Sequence, residues 1–302
     1  MKPIVITGAT GLLGKKIVAL LHKKNYDVII FSRSPQKAKE VLPYAQEYVR
    51  WNAEENGDWA KYIDGAYGVI NLAGTNVGEG RWTEQKKKEI YNSRIVGTRG
   101  IVQAITQAVN PPKVLVNTSA SGFYGNSDIV QTEEQTAASD FLAQVCNSWE
   151  AEAQKASSVT RVVCPRVGVV LDAKDGALAK LALPFKLFTG VWLGSGKQWM
   201  PWIHRDDVAR MFVWALDEHN LQGAINAVAP NPVTMKQLAK AIGKTMHRPL
   251  LAPVPEFALK LLLGEQHSIV TGGNRLSANK ALSLGFTYNF PVVEDALKDL
   301  LQ

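Results

Sequence analysis

Gly8, Gly11 and Gly14 stand at three-residue intervals between a β-branched run, Ile4 to Thr7, and an amphipathic stretch, Leu12 to Leu21. Glycine is needed where a chain turns tightly, where backbone must approach a phosphate, and where a helix must lie close against a strand. The unpaired N–H groups and the dipole at the start of such a helix then attract the phosphates. A glycine pattern alone is weak evidence, but strand, turn and helix in this order point to a dinucleotide pyrophosphate held around Thr7, Gly8, Thr10, Gly11, Leu12, Leu13 and Gly14.

The second β-branched run ends Phe31, Ser32, Arg33, Ser34. A carboxylate there would accept from a ribose 2′-hydroxyl, whereas arginine accommodates a 2′-phosphate. Arg33 can clamp that phosphate and Ser32 or Ser34 can donate to it, so the expected cofactor is NADP(H) in preference to NAD(H). After a third run, Leu72, Ala73 and Gly74 follow Asn71 as small or apolar residues that let backbone lie against the cofactor.

These residues need a sheet to position them. Short strands are expected at Ile4 to Thr7, Asp27 to Ser32, Gly68 to Leu72, Val114 to Thr118 and Arg161 to Arg166, with helices starting near Gly14, Ser34, Thr83 and Ser139. Alternating strands and helices with right-handed crossovers give an α/β protein: a Rossmann-type, doubly wound parallel sheet. After Arg166 the chain becomes rich in Gly, Pro and Trp, then returns through a helix near Asp206, capped by Asp206 or Asp207, and a strand from Ala224 to Ala229. The expected division is a cofactor domain, 1–166 and 205–230, and a smaller, mostly helical substrate lobe, 167–204 and 231–302.

Composition narrows the partners. Thirty-four Lys and Arg against 27 Asp and Glu give a net charge of +7, but the cations are scattered and the Lys86 to Lys88 run reads as a solvated helix face, so nucleic acid is not expected. Two cysteines, Cys146 and Cys164, fit a reducing compartment. Five histidines without ligand spacing support no metal site. Without a signal-like or membrane-spanning segment, the expectation is a cytoplasmic monomer or homodimer acting on a small molecule.

TGATGLLG at Thr7 to Gly14, NLAG at Asn71 to Gly74, FYG at Phe123 to Gly125 and IHRDDVA at Ile203 to Ala209 resemble the extended short-chain dehydrogenase/reductase superfamily of nucleotide-sugar epimerases and dehydratases. NSRIVGTR at Asn92, VCNSWEAEA at Val145, PRVGVVL at Pro165, GSGKQWMPWIHRDD at Gly194 and GGNRLSANKALSLGF at Gly272 are similar to its atypical "NAD-dependent epimerase family" branch, with a small C-terminal domain. The resemblance covers essentially the whole chain. It implies an NADP site to which Arg94, Pro165 and Val167 also contribute, and it supplies no substrate.

The superfamily's Tyr-x-x-x-Lys pair, in which lysine holds the ribose and lowers the tyrosine pKa, aligns here with Leu142 and Cys146. The customary acid and its partner are therefore missing. Ser119, Ser121, Tyr124, Cys146 and Arg94 are the candidate replacements, each with an ordinary alternative: a turn hydroxyl, a packed phenol, an inert buried thiol or a cation paired with a surface carboxylate. If Arg94 faces the pocket, an anionic substrate follows. Glu150 and Glu152, two apart on one helix, read as structural. Arg81, Trp82, Trp199, Met200, Trp202 and His204 are the expected substrate wall, with core packing as the alternative for the tryptophans. Two functions remain open: an NADP-dependent oxidoreductase or epimerase on a small, anionic or sugar-nucleotide-like substrate, and an inactive NADP(H)-binding sensor or scaffold.

Overall fold

The computed structural model describes residues 2–53, 55 and 57–302. Its central sheet carries β1 (Pro3–Thr7), β2 (Asp27–Ser32), β3 (Glu47–Arg50), β4 (Gly68–Asn71), β5 (Val114–Asn117), β6 (Arg161–Val167) and β7 (Gly223–Ala227). They lie in the order β3-β2-β1-β4-β5-β6-β7, every pair parallel, and a two-residue strand at Ser119–Ala120 also pairs with β6. Strand order reverses between β1 and β4, and the carboxyl edge of an open parallel sheet at that reversal is where ligands bind.

The helices that accompany the strands include α1 (Leu12–Lys23), α2 (Pro35–Val41), α3 (Glu84–Gln107), α4 (Phe141–Gln154), α5 (Gly176–Lys186), α6 (Arg205–Asp217) and α7 (Met235–Met246). Because successive strand side chains point to opposite faces, Ile4 and Ile6 of β1 join Ile17 and Leu21 of α1 and Phe212 of α6 on one side. Val5 joins Ile101 and Ile105 of α3 and Ala153 of α4 on the other. Both faces are thus covered, which is why these strands read as continuous apolar runs. Leu178, Phe185, Trp202, Leu238 and Leu297 gather in a further apolar cluster built from α5, α7 and the last helix, Val293–Leu301. Among the described residues no helix is long and apolar enough to cross a membrane.

Two features differ from the sequence expectations. The edge strand β3 reads EYVR, with only Val49 buried, so its polar content hides a strand that forms by pairing with β2. The cap of α6 is His204 rather than Asp206 or Asp207: its imidazole Nδ1 accepts from the Asp206 N–H at 3.1 Å. Asp207 is fully buried and instead accepts from the Asn289 and Phe290 N–H groups at 2.9 and 2.8 Å, fastening the C-terminal segment to α6.

Asp172, 3% exposed, makes a similar tie. Burial pushes its pKa up, but Arg205 at 2.8 Å and the Lys174 and Asp175 N–H groups outweigh that and hold the carboxyl below its ordinary value. A carboxylate whose pKa is depressed by folding contributes stability that is present above its unfolded value, about 3.9, and lost as pH falls through the folded one. Chemical denaturation between about pH 5 and pH 2 is expected to show Asp172→Asn with a flatter pH response than the parent in that window. At pH 7 the variant should be about 1–3 kcal/mol less stable.

Candidate cofactor and active site

A cleft of about 530 Å³ opens over the carboxyl ends of β1, β2 and β4. Gly8, Ala9, Thr10 and Gly11 form one wall, Ser32 and Arg33 a second, and Leu72 to Thr75 a third. Gly8 has φ +65°, and a side chain there would press within 3.0 Å of the Leu72 carbonyl. Gly14 is bare for another reason: a Cβ would strike the Gly8 carbonyl and come within 2.6 Å of the Ala9 Cα, so α1 can close on its own turn only with glycine. Gly11 caps α1 without a side-chain hydrogen bond, and the first turn carries no acidic residue. The first N–H groups of the helix have no side-chain competitor, as an anion requires.

Beneath the cleft lies a polar network. Thr7 Oγ1 donates to Asn71 Oδ1 at 2.7 Å and accepts from the Leu72 and Ala73 N–H groups, both at 3.1 Å. Asn71 Nδ2 donates to Thr98 Oγ1 and Asn117 Oδ1 at 2.9 and 2.7 Å, and the Trp149 indole donates to Thr98 at 2.8 Å. Thr7, expected to touch the cofactor, is fully buried and sets the course of the Leu72 to Gly74 backbone instead. Leu12, Leu13 and Gly14 open α1 and supply its first backbone N–H groups, and Ser34 starts α2, its N–H donating to Ser32 Oγ at 3.1 Å.

At the end of β2 the exposed Arg33 and half-buried Ser32 face the cleft, and among the described residues that line it there is no carboxylate. Trp51, Asn52 and Ala53, just beyond β3, complete this end, and Asn92, Ser93 and Val96 of α3 close the floor. None of these six was legible as a site residue. The first three depend on an unmarked strand, and the others on the roll of a long polar helix.

The candidate catalytic groups lie deeper. Ser119 Oγ donates to Glu150 Oε1 at 2.5 Å, and Glu150 takes Arg166 through Nε and Nη2, both at 2.8 Å. Tyr124 Oη donates to Asn226 Oδ1 and accepts from Arg166 Nη1, each at 2.7 Å. Burial pushes its pKa up to about 12, against the opposing pull of Arg166. Cys146, 4% exposed, is pushed up to about 11, chiefly by burial. Leu142 packs beside Gly122, and half-buried Ser121 accepts from Asn274 through its carbonyl at 2.9 Å. Arg94 donates through Nη1 to the carbonyls of Thr75 and Ile90 at 3.1 and 3.0 Å, behind Gly74. Pro165 and Val167 lie in β6, paired with Ile225 and Ala227 outside the cleft wall.

The expected substrate wall is dispersed. Trp82 packs edge-on to Phe141 and donates to the Val77 carbonyl at 2.9 Å, with Arg81 exposed beside it. Trp199 lies under Arg275, while Met200 and Trp202 are core residues. His204 is fully enclosed, its ring against Phe290 and its Nε2 facing Asp299 at 3.2 Å. Since Nδ1 accepts from a backbone N–H, Nε2 carries the proton and donates to Asp299. Both ring nitrogens are committed, so His204 is a cap and brace rather than a group facing a substrate. His204, Asp206 and Asp299 can bring ligand atoms within 4.8 Å of one another, but Lys16 and Arg205 already pair with Asp206, which argues against a cation there.

Residues 4–227 match the NAD dependent epimerase/dehydratase family, and residues 254–300 match a domain of unknown function, DUF1731. The epimerase family protein SDR39U1 homolog, chloroplastic, of Arabidopsis thaliana is 39% identical over 99% of this chain and 86% of its own length. YfhF of Bacillus subtilis is 38% identical over 99% of this chain and 97% of its own. The crystal structure of human epimerase family protein SDR39U1 with NADPH superposes with a TM-score of 0.89 at 30% identity, covering 99% of this chain and 98% of that one. A UDP-glucuronic acid 4-epimerase from Bacillus cereus shares the fold at 17% identity, with a TM-score of 0.78. A glycine-lined cleft at the strand reversal and full-length likeness to these relatives lead to one conclusion: this chain is a member of the NAD dependent epimerase/dehydratase family, in the branch that carries the DUF1731 domain.

Proposed function

We propose that this protein binds NADP(H) and uses it as an oxidoreductase or epimerase on a small, anionic or sugar-nucleotide-like substrate. The observation that carries the reading is Arg33 with Ser32 at the end of β2, in a cleft where no carboxylate is among the described lining residues to accept from a 2′-hydroxyl. The human relative solved with NADPH supports it. The residues fit such a cofactor. Gly8 and Gly11 leave room and N–H groups for a pyrophosphate, Arg33 and Ser32 address a 2′-phosphate, and the Leu72 to Gly74 backbone lies where the rest of the molecule runs. A bound nicotinamide supplies hydride chemistry. The chain supplies binding and orientation, with Thr7 and Asn71 holding the third wall rigid.

Arg33→Ala is expected to weaken NADPH binding about 10- to 100-fold, the worth of a charge-assisted contact, and to leave NADH binding nearly unchanged. Nucleotide fluorescence titration measures both. Equal losses for the two nucleotides would remove the basis for the NADP preference.

A second reading, a cofactor-binding sensor, is favoured by one observation: among the described residues, neither Tyr124 nor Cys146 lines the cleft. Tyr124 is locked between Arg166 and Asn226, and Cys146 is a buried, protonated thiol. A panel of carbonyl and sugar-nucleotide compounds assayed for NADPH oxidation separates the two. The enzyme reading requires substrate-dependent turnover, whereas the sensor reading requires an NADPH-induced rise in melting temperature with no turnover.

A further inference from the structure

The smaller lobe carries an apolar edge that the described residues leave uncovered. At the end of α5, Leu183, Leu187 and Phe188 are each more than half exposed. The strand Leu250–Val254 lies beside them: its Leu250 pairs with Gly190, two residues beyond Phe188, and the Arg248 guanidinium sits 4.1 Å from the centre of the Phe188 ring. On that strand Leu251 is 60% exposed. The strand also contains Pro253, which has no N–H to offer a further strand, so its open edge is a poor template for β-pairing.

The chain then enters α8 (Glu256–Leu263), of which Leu259 is the one buried residue. At 3.6 residues per turn, Phe257 and Leu261 fall on the side opposite Leu259, and they are 76% and 83% exposed, with Leu262 at 70%. Single exposed apolar residues are ordinary, but a clustered set marks a site of interaction. Charge selects the kind of partner. Residues 176–193 and 235–263 hold seven Lys and Arg and a single carboxylate, Glu256. Glu256 faces His267 at 3.7 Å, and among the described residues none of the seven cations has a carboxylate within 4 Å. A second copy would set the same cations against one another. Phe257 and Leu261 also project from the outside of a helix instead of lining a groove for a partner's side chains.

We propose that this edge is a membrane-surface site: α8 lays Phe257 and Leu261 into the headgroup boundary of an anionic bilayer, with Phe188 and Leu251 beside them, while Lys186, Arg248 and Lys260 meet the lipid phosphates. Lysine and arginine stems reach past an apolar face to charged headgroups, and apolar insertion together with attraction to anionic lipid is what reversible surface binding requires. The contact is superficial, since α8 has eight residues and no described helix is long and apolar enough to cross a membrane. It does not depend on the cofactor reading.

The test uses the full-length chain with vesicles of phosphatidylcholine alone and vesicles containing about one-third phosphatidylglycerol. Co-sedimentation should show binding to the anionic vesicles at least about tenfold tighter than to the neutral ones, weakening as salt rises. Both native cysteines are buried, so Leu261→Cys takes an environment-sensitive fluorophore selectively, and its emission should shift to the blue on anionic vesicles. The same label at Val109→Cys, exposed just past α3, should not respond. The Phe257→Ser, Leu261→Ser double variant should bind at least about tenfold more weakly, and Lys186→Gln with Lys260→Gln at least about fivefold. The melting temperature should hold in both, since all four side chains are exposed. Equal binding to the two kinds of vesicle, no binding to either, or sedimentation without a change at Leu261 overturns the proposal. So does concentration-dependent dimerisation that the Phe257→Ser, Leu261→Ser variant loses, which would give the edge to a second copy. Tighter binding to polyglutamate than to the anionic vesicles also overturns it and would give the edge to an acidic protein.

Discussion

Replacing Glu150 with alanine is expected to cost about 3–5 kcal/mol of folding free energy, read as a lowered denaturant midpoint. The carboxylate is 9% exposed and holds Arg166, 4% exposed, through two 2.8 Å bonds while accepting from Ser119 at 2.5 Å. Its removal strands a guanidinium whose remaining hydrogen bonds among the described residues go to Tyr124 and the Glu133 carbonyl, over the face of Phe123. Because the Arg166 side chain is only 5% exposed, the penalty is that of an uncompensated buried charge and not of one hydrogen bond. Glu150→Gln keeps the shape and one acceptor and should lose less. The combined Glu150→Leu and Arg166→Met variant, which removes both charges, should recover much of the loss. A double variant as unstable as Glu150→Ala would show that packing, and not charge pairing, carries the effect. Since β6 and α4 meet through this pair, cofactor affinity in the surviving folded fraction is expected to change little.

Gly14→Ala is expected to reverse that pattern, striking the cofactor cleft hardest. The added methyl meets backbone only: the Gly8 carbonyl, the Ala9 Cα and the Ala9 carbonyl. No rotamer can relieve it, so α1 must lift from its turn. Overpacking of this kind costs about 1–3 kcal/mol. Displacing the helix start also moves the N–H groups available to a pyrophosphate, so NADPH affinity should fall at least about tenfold, or about 1.4 kcal/mol. Gly11→Ala supplies the scale, because its Cβ would stand 3.3 Å from the Gly8 carbonyl and needs only a small adjustment. Calorimetric titration of both variants should therefore rank Gly14→Ala well below Gly11→Ala in affinity. Equal affinities would mean that the close approach of α1 does not govern the cleft.

These two positions also separate what is local from what is not. Gly14 is interpretable from its neighbours in the chain, since a strand, a turn and a helix within the first two dozen residues define its surroundings. Glu150 reads as structural because Glu152 lies two residues away on the helix, but Arg166 is on another element, and only the β6–α4 packing brings the two together. The same holds for β3. Its four residues carry no apolar alternation, and it becomes a strand only when Ile29 to Ser32 of β2 offer a partner edge. Trp51 to Ala53 enter the cleft as a consequence.

By itself the sequence determined the parallel sheet, the glycine turn at Gly8 to Gly14, and a second-strand end that offers Arg33 and no acid. Each of these follows from short-range rules of periodicity, glycine sterics and charge. Only the tertiary structure decided which polar groups are free. Tyr124, Ser119 and His204 are consumed by partners remote in sequence, whereas Arg33 stays exposed on the cleft wall. The reason is physical: a side chain's identity sets what it can donate or accept, but whether that capacity is already spent depends on neighbours that only packing brings within 3 Å or so.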